Sequence, residues 1–166
     1  MSGDGDNGSG IGARPNRAAV VERLASAPER LETAARLAAV AVAAAGGTGG
    51  EWSPVENVRH LIAVEGAVWH GRLRALELAE PGIEPRWAWA EPTFDDGPAD
   101  RSLEEVLATF AGRRFATIAM LAALDDAGWA RTGIHATYGR LDVSGLMRTA
   151  ADHDDEHIET LKRLGR

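Results

Sequence analysis

The last regular segment of the chain carries Leu146, Ala150, His153, His157, Leu161 and Leu164 at helical spacing. Residues three and four apart share one side of an α-helix, so these six make a single stripe. Its ends are apolar and its centre is a pair of imidazoles. A buried polar group without a partner is costly. Any fold that covers this stripe must therefore bring polar groups or an ion to the two rings.

Helical periodicity runs through the rest of the chain from about Asn16. A capping box of Ser26 and Glu29, with Pro28 in the first turn, predicts a helix through Leu31, Ala34, Ala35, Ala38 and Val42. Gly46-Gly47-Thr48-Gly49-Gly50 ends it. A second helix starts at Ser53, with Pro54 at its first position and Glu56 closing the box. Its stripe is Val55, Val58, Ile62, Trp69, Leu73 and Leu76, and it stops at Pro81-Gly82. The third opens at Ser102 with Glu105 and follows Val106, Phe110, Ile118, Leu121 and Leu124. Asp142 caps the fourth, which runs to about Leu164.

Two long connections separate these helices. Residues 81–101 hold four prolines, two glycines, Trp87 and Trp89, and 125–141 form a second irregular stretch. No convincing alternation marks a strand. The pattern predicts an all-α four-helix bundle over 15–166, preceded by a flexible, glycine-rich tail at 1–14. A chain of 166 residues fits one such domain.

Composition narrows the chemistry. There is no cysteine, so histidine, aspartate and glutamate are the candidate ligands and a reducing compartment is expected. Eighteen basic against 25 acidic residues, a formal charge of −7, argue against a broad nucleic-acid footprint. The amino-terminal residues lack a basic start and an apolar run. The longest apolar stretch, Leu37 to Ala45, falls far short of the ~20 residues of a membrane span. A soluble, cytoplasmic protein is expected.

His153 and His157, at i and i+4, sit about 5 to 6 Å apart at Cβ. That H-x-x-x-H spacing chelates a single ion on metalloprotease helices, and imidazole suits zinc, nickel, copper or iron. The plainer reading is two core histidines hydrogen-bonded to backbone or to Asp152, Asp154 and Glu156. His60 on the second helix, on a face with Val64 and Ala67, would complete a three-histidine set if that helix lies beside the fourth. Three protein ligands and an open position is the catalytic zinc pattern. His70 is expected at the surface, and His135 is read as a fourth ligand, a proton shuttle or, by preference, a solvated loop residue. Glu65 falls on the apolar stripe and needs a partner, for which Arg113 or Arg114 serves; a structural ion pair is preferred over a general base. Asp152 and Asp154 are candidates to orient the ligand rings. Trp87, Trp89 and Trp129 are read as core packing or as walls of a pocket, and Trp52 as a hydrophobic staple.

Three stretches together resemble the DinB-like (YfiT-like) superfamily of metal-dependent enzymes. Trp52-Ser53-Pro54-Val55-Glu56 with His60-Leu61 and Glu65 is similar to its W-S-x-x-E…H-L…E signature. Gly128 to His135 with Tyr138-Gly139 is similar to the segment before its last helix, and Asp152 to His157 to its terminal H-x-x-x-H. The resemblance implies an up-down four-helix bundle, often dimeric, with a three-histidine site for zinc or nickel at His60, His153 and His157. Characterised relatives include bacillithiol S-transferases and a mycothiol-dependent maleylpyruvate isomerase. The isomerase type has Glu where His153 stands, a departure that weakens that assignment.

The leading expectation is a metal-dependent transferase or hydrolase in which the ion activates a thiol or water. It would act on a small molecule, with a low-molecular-weight thiol as co-substrate, in a homodimer. Glu65 is the one weak candidate for an acid–base role. The alternatives are a non-catalytic metal- or small-molecule-binding module and a purely structural bundle. A ferritin-like di-iron site is excluded by the lack of Glu-x-x-His pairs, and a nucleophile elbow by the lack of G-x-S-x-G.

Overall fold

A computed structural model describes residues 10–88 and 90–166. Residues 1–9, most of the expected tail, and Trp89 lie outside the described residues. The chain is mostly helical, with a small three-stranded sheet. In order it forms α1 (Gly10–Ala45), α2 (Pro54–Val64), a π-helical segment (Glu65–His70), α3 (Gly71–Leu78), β1 (Arg86–Trp87), α4 (Leu103–Ala122), α5 (Asp126–Trp129), β2 (Thr132–His135), β3 (Gly139–Asp142) and α6 (Val143–Leu164). Among the described residues no helix is long and apolar enough to cross a membrane.

Capping chemistry fixes the starts of three helices. Ser53 and Ser102 accept from the backbone N–H of Glu56 and Glu105, whose carboxylates return the bond to the capping residue's N–H. Asp142 accepts from Gly145 N at 2.7 Å and starts α6.

The box expected at Ser26 does not form. Ser26 lies inside α1, where its hydroxyl donates to the Arg23 carbonyl at 3.1 Å. Pro28 is consequently mid-helix and has no N–H to give to the carbonyl four residues back, that of Leu24. Arg114 from α4 fills the gap, its Nη1 donating to Leu24 O at 3.1 Å. A tertiary donor thus lets α1 run unbroken through a residue that otherwise stops helices.

The all-α expectation is corrected by the strands. β2 pairs antiparallel with β3 and parallel with β1, in the order β1-β2-β3. The parallel rung Trp87↔His135 ties the first long connection to the second. With four residues or fewer, these strands are too short for alternation to announce them.

α1 packs along α6, and α4 packs on α1 and α2. Two apolar clusters result. One joins Leu31, Ala35, Ile62, Phe110, Ile158 and Leu161; the other joins Leu24, Trp69, Leu73, Leu121, Leu146 and Met147. Between them every long helix contributes a polar contact, and the buried Arg114 is the hub. Its Nε and Nη2 donate to the two Glu65 oxygens at 2.8 Å each. Nη1 and Nη2 donate to Asp154 at 2.6 and 3.2 Å. With Leu24 O, all five N–H groups of the guanidinium are used. This layer sets the register of α6 against α2 and the π segment, and the histidines lie in it.

Candidate metal centre

His60 projects from the second turn of α2, and His153 and His157 from adjacent turns of α6. One ring nitrogen from each lies within 4.8 Å of the other two. Ring centroids are 5.3 Å apart for His60–His153, 4.9 Å for His60–His157 and 4.8 Å for His153–His157. His60 and His153 are buried; His157 is partly so.

Two of the rings have their tautomer set from behind. His60 Nδ1 faces the carbonyl oxygens of Pro92 and Thr93 at 3.0 and 2.9 Å, so it must donate. Nε2 is left to face the cluster, 3.3 Å from His153 Nε2. His157 Nδ1 lies 3.0 Å from Asn57 Oδ1. The Asn57 amide is oriented by its own NH2, which donates to the carbonyls of Trp52 and Ser53 at 3.1 Å each. Oδ1 is therefore the atom presented, and His157 donates to it. His153 Nδ1, by contrast, is buried and has no partner.

Burial, reinforced by the neighbouring histidines, pushes His153 down to about 4 and His157 down to about 3. Both rings are neutral at neutral pH and keep a lone pair for a cation. Buried imidazoles with inward lone pairs, two of them fixed by hydrogen bonds from outside, form a donor set that fits a divalent transition metal.

Glu65 is held apart from this chemistry. Burial raises its carboxyl, and the hydrogen bonds and charge of Arg114, with the Thr117 hydroxyl, more than offset that, leaving it below the ordinary range. Both oxygens are occupied in the ion pair. Asp154 does not orient a histidine, because Arg114 takes both of its oxygens, while burial pushes it up to about 6. Asp152 is exposed and pairs with Arg23 at 2.7 Å.

Several sequence expectations are corrected here. His70 is buried, its Nε2 2.8 Å from Thr117 Oγ1, because α2 and its continuation are covered by α4 as well as by α6. His135 is 1% exposed on β2 and accepts from Thr137 and Tyr138 N–H, so it is no solvated loop residue. Ala67, expected to share a face with His60, is exposed, the π turns having shifted the phase of the helix. Trp52 is no staple: its ring lies over His60 at 5.1 Å and nearly parallel to His157 at 6.3 Å. The core-packing reading of two other tryptophans holds: Trp87 packs on Gly133 and on the Arg72 guanidinium, and Trp129 in the distal apolar cluster. Trp69, from the π segment, is the tryptophan edge-on to His153 at 6.3 Å.

Two residues were not singled out from the sequence. Asn57 left a trace, a polar residue one turn before His60 on the face that His60 shares with Val64. Glu91 left none, since it stands in the long connection. Its Oε1 is 3.4 Å from His153 Nε2 and its Oε2 is 3.7 Å from His60 Nε2.

Fold and site together define a helical protein with a histidine triad suited to one metal ion. The model of the DinB superfamily matches residues 13–161, and the chain belongs to that superfamily. No curated protein matches it.

Proposed function

We propose that the protein is a metal-dependent transferase or hydrolase that holds one divalent ion, zinc or nickel, through His60, His153 and His157. The long helices form an up-down four-helix bundle in this reading, and the working unit is a cytoplasmic homodimer acting on a small molecule. The observation that carries it is the pair of outward hydrogen bonds, from His60 to backbone carbonyls and from His157 to Asn57, which turn both rings toward one point.

When bound, such an ion lowers the pKa of a coordinated water or thiol toward neutrality. The chain's own residues do the rest. Trp52 and Trp69 flank the triad with apolar surface and limit water. Asn57 and the Pro92 and Thr93 carbonyls keep the rings in one tautomer. Glu65 has a positioning role, because Arg114 consumes it.

The test is single-turnover assay of zinc- and nickel-loaded protein against a panel of thiols and electrophiles. Turnover that disappears in His157→Ala supports the enzyme. Stoichiometric metal binding with no turnover across the panel identifies a binding module instead.

A further inference from the structure

We infer that Glu91 is a fourth protein ligand of the ion, so that the resting centre is three histidines and a carboxylate. This rests on the three-histidine reading above and adds a residue from outside the helices, which a substrate thiol or water would displace or join as a fifth ligand.

The distances have the size of a coordination polyhedron. Metal–ligand bonds of about 2.0 to 2.1 Å give a tetrahedral edge of about 3.3 to 3.4 Å. His60 Nε2 and His153 Nε2 are 3.3 Å apart, and Glu91 stands 3.4 Å from the second and 3.7 Å from the first. Two of those separations, His60 Nε2–His153 Nε2 and His153 Nε2–Glu91 Oε1, are therefore already at edge spacing, while the 3.7 Å approach to His60 is made by the other carboxylate oxygen.

The polar atoms that face one another here are suited to a shared cation. His60 Nδ1 donates to the Pro92 and Thr93 carbonyls, which turns Nε2 toward His153 and Glu91. Glu91 Oε1 is buried and accepts no hydrogen bond. A cation among them would accept the His60 Nε2 lone pair and the Glu91 oxygen together. Three neutral histidines would also leave a divalent charge uncompensated in a buried site, whereas one carboxylate halves it.

The placement of Glu91 is built into the fold. The next two residues, Pro92 and Thr93, receive the His60 Nδ1 hydrogen bond. Asp95, four residues on, is gripped by Arg59 at 3.1 Å and by Arg101. Arg59 precedes His60 on α2, so one helical turn fixes both the ligand ring and the segment that carries the carboxylate. Arg72 donates to the Ala88 carbonyl at 3.1 Å, three residues before Glu91.

The experiment is Co(II) titration of the full-length protein and its Glu91→Gln and Glu91→Ala variants, read by visible d–d absorption and by competition with a chelator. Circular dichroism and thermal melting of the metal-free proteins establish that each variant is folded. The expected result is one Co(II) per chain in all three, with affinity at least about tenfold lower in both variants and a changed band envelope. Affinity and spectrum identical to the wild type would overturn the Glu91 assignment while leaving the triad intact. No Co(II) uptake by the wild type would overturn both.

Discussion

Asn57 Oδ1 lies 3.0 Å from His157 Nδ1, joining α2 to α6 across the candidate centre. The same amide donates to the Trp52 and Ser53 carbonyls, so its orientation is not free to invert. It decides which nitrogen of His157 faces the triad. Asn57→Leu is expected to lower metal affinity by about 10- to 100-fold, the usual effect of losing such an orienting partner. Chelator competition checks this, with Asn57→Asp as the conservative control that keeps the acceptor. Unchanged affinity in the leucine variant would show that His157 needs no such guide.

The buried hub makes a second prediction. Arg114 balances Glu65 and Asp154 in a layer where none of the three side chains is more than 2% exposed. Removing one member of a buried ionic set strands the others, at a cost of about 3 to 5 kcal/mol. Arg114→Met is expected to be destabilised by that amount in urea unfolding, and the triple variant with Glu65→Gln and Asp154→Asn to recover part of it. A methionine variant within about 1 kcal/mol of wild type would contradict the hub.

Acid sensitivity of the metal-free protein follows from the histidines. Their folded values, about 4 for His153 and about 3 for His157, lie below the ordinary 6.5. Over that window the unfolded chain binds protons that the folded chain refuses, so stability falls as pH drops below about 6.5. Asp154, raised by burial to about 6, acts in the opposite sense between its ordinary 3.8 and that value. Two histidines outweigh one carboxyl. Urea midpoints with chelator present are expected to fall more from pH 7 to pH 5 in wild type than in a His153→Gln/His157→Gln variant. Equal changes would remove the histidines from the account.

Gly133 makes room for Trp87. A Cβ built at position 133 meets the Trp87 ring at 2.3 Å, and the ring cannot retreat without leaving Arg72. Gly133→Ala is expected to destabilise the protein by about 1 to 3 kcal/mol through overpacking, with a shift in tryptophan emission. An unchanged melting temperature and spectrum would show that the β1–β2 contact is loose.

Local rules made much of this legible. Ser53-x-x-Glu56 and Ser102-x-x-Glu105 are satisfied within one turn of their own helices, so neighbours in sequence suffice to read them. His153 and His157 were legible for the same reason, as a break in an apolar stripe. Ser26-x-x-Glu29 has the same local form, yet α1 runs through it because a donor 90 residues away covers the Leu24 carbonyl. Glu91, the burial of His70 and His135, and the three strands also depend on partners far along the chain. Periodicity carries no information about those.

Metal content per chain shows whether α2 and α6 share an ion. Elemental analysis of protein purified after expression with zinc and nickel, alongside the His60→Ala, His153→Ala and His157→Ala variants, is the measurement. Close to one ion per wild-type chain is expected, with a marked loss in each variant while the fold is retained. A metal-free wild type, or full occupancy in the His60→Ala variant, would contradict it.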